Sequence, residues 1–248
     1  MMLRDQPHRS LFMVQATDTD AENRLKISSI FNYLQIVSGR NANELSFGYD
    51  DLAKKGLFWV LSRMMLEWHG KIGIEEEIIV ETWPKGTERL FALRDFMLYY
   101  KNGKPAGKAT SAWLLIDINT RRPAIPSQEL FNRTEFNIPP AIDELPEKIT
   151  EPHEKELLTN RKVVYSDLDI NHHVNNAKYP EYIFDALPQE IADRYKDCKF
   201  QINYLKELRL GEIFNIYYSK TDTAENQYYI DAENELQQKV FQATLEFG

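Results

Sequence analysis

The spacing of apolar residues predicts two helices near the start of the chain. The first helix has apolar residues three and four positions apart, which places them on one helix face. These residues are Ile30, Phe31, Leu34 and Val37. Gly39 is a candidate kink or end for this helix, because glycine lowers helix stability. A second helix is predicted over residues 41–55, and Gly56 ends it.

From Phe58 onward the apolar pattern becomes that of β-strands, with aromatic and β-branched runs between short polar segments. Strands are predicted over residues 59–68, 77–83, 90–100 and 108–118, with a short strand over 12–16 before the first helix. Asn102-Gly103 lies between two of these strands and predicts a β-hairpin. The turn expected there is type I′, in which both central residues have positive φ.

A proline-rich segment over residues 123–152 divides the chain. It contains six of the eleven prolines and many acidic residues. This composition is typical of an irregular connector. Because a loop of this length is unusual inside one compact domain, the segment is predicted to link two domains.

The pattern of the first half returns after this connector. A strand predicted over residues 162–165 leads into a polar stretch, and a helix is predicted over 177–187. Further strands are predicted over residues 200–204, 213–220, 227–232 and 239–247. Each half therefore consists of a strand, a polar turn, a helix and an antiparallel meander, which indicates an internal duplication.

Aligning the two halves separates shared residues from residues found in one half only. Asp18 and Asp20 align with Asp167 and Asp169, which predicts a partly structural role for these aspartates. Three polar residues have different counterparts: Asn171 aligns with Glu22, His173 with Arg24, and Glu207 with Lys71. A cluster present in one half predicts a single active half, although sequence divergence alone could produce the same difference.

Composition and charge narrow the functional class. The 248 residues, 43% hydrophobic, suffice for one large or two small domains with a buried core. A formal charge of −8 argues against a nucleic-acid or anionic-membrane surface. The single cysteine, Cys198, excludes an internal disulfide, and there is no zinc-ligand spacing, secretory signal or membrane-length apolar run. We therefore expect a soluble cytoplasmic protein without a metal.

The polar stretch before the second-half helix offers groups suited to acid–base chemistry. His173 could act as a general base or polarise a carbonyl, with a capping or surface histidine as the alternative. Asn171 could donate to a developing oxyanion or form an Asx-turn. Asp169 could orient either residue or cap a backbone N–H. Asn175 and Asn176 are most easily explained as N-cap residues of the helix.

The local sequence by itself indicates no function for two other reactive side chains, Glu207 and Cys198. Glu207, between Lys206 and Leu208, is typical of a solvated surface residue. Cys198 has no neighbouring base or motif and is predicted to be inert.

Four segments carry residues that resemble one known family, the acyl-acyl carrier protein (acyl-ACP) thioesterases. These enzymes end fatty acid synthesis in plant plastids and have bacterial relatives. The segments are residues 58–64, 94–96, 109–126 and 166–179. The last of them, SDLDINHHVNNAKY, resembles the most specific motif of the family. The resemblance covers nearly the whole chain.

The resemblance implies an α+β fold of two tandem hotdog domains, each a long helix wrapped by an antiparallel sheet. The expected divisions are an acyl-binding domain over residues 1–126, a Pro-rich acidic linker over 127–157 and a catalytic domain over 158–248. The resemblance also implies four catalytic residues: Asp169, Asn171, His173 and Glu207. Leu208 stands where plant members have a cysteine, so no nucleophilic thiol is expected there.

The implied reaction is hydrolysis of fatty acyl-ACP without a cofactor. Backbone N–H groups over residues 174–176 would form the oxyanion hole. The acyl chain would lie between helix and sheet of the first half. Its candidate contacts, for which core packing is the alternative, are Trp59, Met64, Met65, Phe91, Phe96 and Trp113. Asn175 and Asn176 would also contact the substrate.

The implied partner is an acidic carrier protein. Candidate basic contacts are Arg121, Arg122, Lys178 and Lys206. The chain is expected to be a monomer whose halves form an internal pseudo-dimer, or a homodimer. The alternatives are an acyl-CoA thioesterase, a non-catalytic acyl-thioester sensor and a hotdog hydratase.

Overall fold

Two sets of elements in the same order make up the computed structural model, which describes residues 6–126, 137–221 and 226–248. The first half contains β1 (His8–Met13), α1 (Ile27–Glu44), α2 (Tyr49–Ala53), β2 (Leu57–Trp68), β3 (Glu77–Glu88), β4 (Phe91–Tyr100), β5 (Pro105–Asp117) and β6 (Pro123–Ala124). The second half contains β7 (Glu156–Lys162), α3 (Lys178–Ala186), α4 (Gln189–Ala192), β8 (Cys198–Tyr204), β9 (Ile213–Lys220), β10 (Gln227–Asn234) and β11 (Lys239–Phe247).

The strands form one antiparallel sheet that runs through both halves. Its order is β1-β3-β4-β5-β2-β8-β11-β10-β9-β7, and β6 pairs with β5. The order within one half is therefore the reverse of the order in the other, as expected for two copies related by a pseudo-two-fold axis. The halves join where β2 pairs with β8, from Arg63 opposite Asn203 to Trp68 opposite Cys198.

The helices cover one face of this sheet. Helix α1 buries the predicted face, and Ile30, Phe31 and Leu34 are fully inaccessible to solvent. Helix α1 does not end at Gly39, one of the two outcomes expected there, because it continues to Glu44. Helix α3 starts one residue later than predicted and accommodates Pro180 in its first turn, where a missing N–H costs no hydrogen bond.

Three local predictions were wrong for identifiable reasons. The segment predicted as a helix over residues 41–55 holds the end of α1 and only the short α2. The strand predicted over 162–165 ends at Lys162, and a 3₁₀ turn follows because Val164 N–H donates to Asp167 Oδ2 at 2.8 Å. The predicted hairpin is present, but only Gly103 has positive φ, at 83°, so the turn is not type I′.

The described residues of the connector from 137 onward lie on the sheet face opposite the helices. Its residues 127–136 fall outside the described part of the chain. Beyond them, Ala141 N–H donates to the buried Asp95 on β4 at 2.7 Å, and Arg63 donates to the carbonyl of Pro146 at 2.9 Å. We call residues 137–155 the strap. No helix within the described ranges is long and apolar enough to cross a membrane.

Candidate active site

Asp169 organises the loop before α3 through hydrogen bonds to the backbone. Its Oδ1 accepts from the N–H groups of Asn171 and His173, at 2.8 and 3.4 Å. Its Oδ2 accepts from Asn171 Nδ2 at 3.3 Å. Its own N–H donates to the His173 carbonyl at 2.8 Å, which closes the loop. The predicted residues Asp169, Asn171 and His173 therefore form one unit, with Asp169 holding the other two.

Glu207 approaches this unit from the loop after β8. Val174 N–H donates to the Leu208 carbonyl at 2.9 Å, and His173 pairs with Arg209 in an isolated bridge. These bonds place Glu207 Oε2 at 3.3 Å from His173 Nε2. The His173 side chain is 17% exposed and that of Glu207 is 48% exposed, so water can reach the carboxylate. Glu207 lies three residues beyond the end of β8.

The first half repeats this loop with different side chains. Asp20 Oδ1 accepts from the N–H groups of Glu22 and Arg24, at 3.0 and 2.8 Å. Arg24 stands in the place of His173, and its guanidinium contacts Asp20 at 2.7 Å and Asp193 at 3.1 Å. Burial opposes ionisation of Asp20, but its hydrogen bonds with Arg24 and Tyr195 lower its pKa. An ion pair therefore occupies the position that the histidine and glutamate take in the second half.

The expected oxyanion hole over residues 174–176 is only partly free. Val174 N–H donates to Leu208, and Asn175 N–H donates to the Asp167 carbonyl at 2.9 Å. Among the described residues, Asn176 is the only one of the three whose N–H has no acceptor. The prediction was therefore wrong for Val174 and Asn175, because these N–H groups hold the loop to its neighbours.

A residue of the first half also contacts this loop. Gln35 of α1 donates from Nε2 to Asn175 Oδ1 at 3.3 Å, and Ala177 N–H donates to the same oxygen at 2.9 Å. Asn175 thus forms an Asx-turn just before α3. The N-cap of α3 is Ala177, without a side-chain cap, so the prediction that Asn175 and Asn176 are N-cap residues was wrong. Sequence analysis missed Gln35, because a single polar residue on a helix gives no indication of a contact across 140 positions.

Four of the six apolar residues proposed as acyl contacts in the first half share the helix-covered face. Met65 does not, because it lines a cavity under the strap on the opposite face, so its expected position was wrong. Met64 and Phe96 are fully buried in the main core, against which Trp113 packs, and Trp59 packs beside Phe47. Phe91 differs, because its ring lies 5.0 Å from the guanidinium of Arg63, which bonds to the strap. Phe91 therefore lies on the opposite face, and its expected position between helix and sheet was wrong.

Other reactive groups lie away from this site. Burial and the Asp197 carboxylate raise the pKa of the Cys198 thiol to about 12, so it is protonated at neutral pH. A cavity of about 400 Å³ under the strap is lined by Met65, Glu144 and Lys199 among others. Within the described ranges, one set of three carboxylates lies close enough together to bind a metal ion. It consists of Glu151, Asp231 and Glu233. Lys155 and Lys239 already pair with all three.

Comparison with solved structures places this architecture among the double hotdog proteins. An acyl-ACP thioesterase from Bacteroides thetaiotaomicron superimposes with a TM-score of 0.87 at 28% identity, covering 97% of both chains. The 12:0-ACP thioesterase from Umbellularia californica gives a TM-score of 0.82 at 20% identity, covering 100% of this chain and 99% of its own. The second likeness concerns the fold alone.

Sequence comparison finds plant relatives and two family domains. The oleoyl-acyl carrier protein thioesterase 2 of Arabidopsis thaliana is 26% identical over 225 residues, which cover 83% of this chain and 61% of the relative. The palmitoyl-acyl carrier protein thioesterase of Cuphea hookeriana is 25% identical, and 51% of it is covered. This chain thus spans between half and two thirds of their lengths. The acyl-ACP thioesterase N-terminal domain matches residues 5–133 and the C-terminal domain matches residues 150–247. The chain belongs to the acyl-ACP thioesterase family.

Proposed function

We propose that this protein hydrolyses the thioester of fatty acyl-ACP and releases the free fatty acid and the carrier protein. The observation that supports this most directly is the approach of Glu207 to His173 at 3.3 Å, beside the N-terminus of a helix. The other half has Lys71 and Arg24 at these positions. A carboxylate, an imidazole and a free backbone N–H are suited to adding water to a carbonyl.

Glu207 has one of two roles in this proposal. As a general base, it takes a proton from water, and the water oxygen attacks the thioester carbonyl. The C–S bond then breaks, and the proton passes to the departing thiolate. As a nucleophile, Glu207 attacks the carbonyl itself, the C–S bond breaks, and the carrier thiolate leaves. Water then hydrolyses the resulting anhydride, which releases the fatty acid, restores the Glu207 carboxylate and supplies the proton taken up by the thiolate. In either role, His173 and Asn171 position the attacking group while Asp169 fixes their loop.

The two halves have different roles in this proposal. Residues 1–126 bind the acyl chain, 127–157 link the halves, and 158–248 supply the catalytic groups. The proposed acyl contacts on the helix-covered face are Trp59, Met64, Phe96 and Trp113, and Asn175 and Asn176 contact the thioester end. The proposed carrier contacts are Arg121, Arg122, Lys178 and Lys206. The protein acts in the cytoplasm as a monomer or homodimer without a cofactor.

The test is a panel of acyl-ACP and acyl-CoA thioesters of several chain lengths, with release of free thiol measured over time. We expect the largest kcat/KM for one or more acyl-ACP substrates. A larger kcat/KM on acyl-CoA would identify an acyl-CoA thioesterase. Binding of acyl-ACP without thiol release would identify a sensor and overturn the proposal.

A further inference from the structure

The contact between Gln35 and Asn175 fixes which way the Asn175 amide points. Asn175 Oδ1 accepts from Ala177 N–H at 2.9 Å and from Gln35 Nε2 at 3.3 Å. If the amide were reversed, its NH₂ group would face two donors, and both hydrogen bonds would be lost. The oxygen is therefore held between α3 and α1. The nitrogen Nδ2 has no acceptor among the described residues.

The side chain of Asn175 lies on the same side of the chain as that of His173. The residue between them, Val174, is 4% exposed and bonds to Leu208 through its backbone. The segment is extended there, since His173 and Val174 both form β-bridges. Side chains two residues apart in an extended segment project to the same side. The unpaired Nδ2 and the His173 imidazole therefore belong to one surface, opposite the buried Val174.

The inactive half lacks this pair of amides. The alignment that matches Asp20 with Asp169 places Lys26 at the position of Asn175 and Phe184 at that of Gln35. The same alignment extends into the helices, where it matches Tyr33 with Tyr182. Tyr33 donates to Asp18 at 2.8 Å. Phe184 packs against Tyr195 and Phe200 in the core. Gln35 and Asn175 thus accompany the histidine and glutamate in one half only.

We propose that Gln35 is a positioning residue that directs Asn175 Nδ2 toward the thioester oxygen, so that Nδ2 and the free Asn176 N–H form the oxyanion hole. This rests on the proposed function. It makes α1 of the first half part of the catalytic arrangement, because the orientation of a second-half donor depends on a first-half side chain. Since the oxyanion forms only in the transition state, the contribution falls on kcat.

The experiment compares kcat and KM of Gln35→Ala, Gln35→Glu and Asn175→Asp on an acyl-ACP that the wild-type protein hydrolyses. Asn175→Asp retains Oδ1 and its hydrogen bond from Ala177 N–H but replaces the donor with an acceptor. We expect kcat to fall about 100-fold in Asn175→Asp, the usual loss for one oxyanion donor. We expect a fall of about 10-fold in Gln35→Ala and a larger one in Gln35→Glu, through misplacement of that donor. KM and the thermal midpoint should stay near wild type.

The matched control is Asn32→Ala, which removes an exposed amide from the same helix and should leave kcat unchanged. In the Asn175→Asp background, Gln35→Ala should have no further effect on kcat, because the donor it positions is gone. Wild-type kcat in all three variants would overturn the inference while leaving the proposed function intact. Equal losses from Gln35→Ala in both backgrounds would also overturn it, since Gln35 would then act independently of Asn175. Absence of hydrolysis by the wild-type protein would instead overturn the proposed function.

Discussion

At the scale of single residues, the two halves place different side chains on the same backbone loop. Asp20 and Asp169 make equivalent bonds to N–H groups two and four positions ahead. Only Asp169 organises a loop with a titratable imidazole beside a carboxylate. Its counterpart organises an arginine that is already paired with two aspartates. Removing Asp169 should therefore lower activity, whereas removing its counterpart Asp20 should lower stability.

Asp169→Ala and Asp20→Ala form a matched pair that tests this division. Removing Asp169 frees the loop that holds Asn171 and His173, so kcat should fall about 100-fold through misplacement. Removing Asp20 leaves Arg24 without one partner and should lower the free energy of unfolding by about 1–3 kcal/mol, with kcat retained. Acyl-ACP turnover and chemical denaturation measure the two effects. Equal losses of kcat in both variants would contradict the division.

Cys198 offers a second prediction at the residue scale. The thiol is buried in β8, and its pKa is raised to about 12, so it supplies no thiolate. Cys198→Ala should leave kcat within about two-fold of wild type, with a loss of stability of about 1 kcal/mol. Steady-state kinetics at equal concentrations of folded protein check this. A kcat reduced by orders of magnitude would assign the thiol a role in the reaction.

At the scale of elements, periodic patterns predicted the long elements well and their ends poorly. The strands β9 and β11 have the predicted bounds, since their alternation continues to the turn residues. Helix α1 continued through Gly39 because burial of its apolar face outweighs the cost of one glycine, about 1 kcal/mol. The strand predicted over residues 162–165 was misplaced, because the hydrogen bond that Asp167 Oδ2 accepts from Val164 N–H ends the extended segment there.

The candidate site was predictable only as far as local sequence and internal alignment reach. The comparison of halves singled out Asn171, His173 and Glu207, and the resemblance grouped these three with Asp169 as the expected catalytic residues. The contact of Gln35 with Asn175 depends on how α1 meets α3, which no local pattern indicates. The placement of Phe91 depends on which strand face meets the strap, and an aromatic residue fits either face. Contacts between distant elements therefore required the structure.

At the scale of the whole molecule, the strap is fastened near both ends by buried aspartates on corresponding strands. Asp95 on β4 and Asp231 on β10 are both inaccessible to solvent. The first accepts from Ala141 N–H at 2.7 Å, and the second pairs with Lys155 at 2.9 Å. Lys155 and Lys239 also pair with Glu151 and Glu233. This network should couple stability to pH.

Glu233 provides the test of this coupling. Burial opposes its ionisation, but hydrogen bonds with Lys155 and Lys239 lower its pKa below the ordinary 4.5. Its contribution is therefore present above pH 4.5 and is lost as the pH falls through the lower folded-state pKa. Glu233→Gln should be less stable than wild type at neutral pH, and the difference should shrink in acid. Urea denaturation across pH measures it, with the exposed Glu235→Gln as control. A difference independent of pH would contradict the network.

We propose that one half of the protein hydrolyses acyl-ACP through Glu207 beside His173. The most direct test of this proposal is the rate of thiol release from an acyl-ACP by wild type and by Glu207→Gln, which keeps the shape of the side chain and removes the base. We predict turnover by wild type and a loss of kcat of at least about 100-fold in the variant, with an unchanged thermal midpoint. Turnover by Glu207→Gln at the wild-type rate would show that Glu207 is neither the base nor the nucleophile.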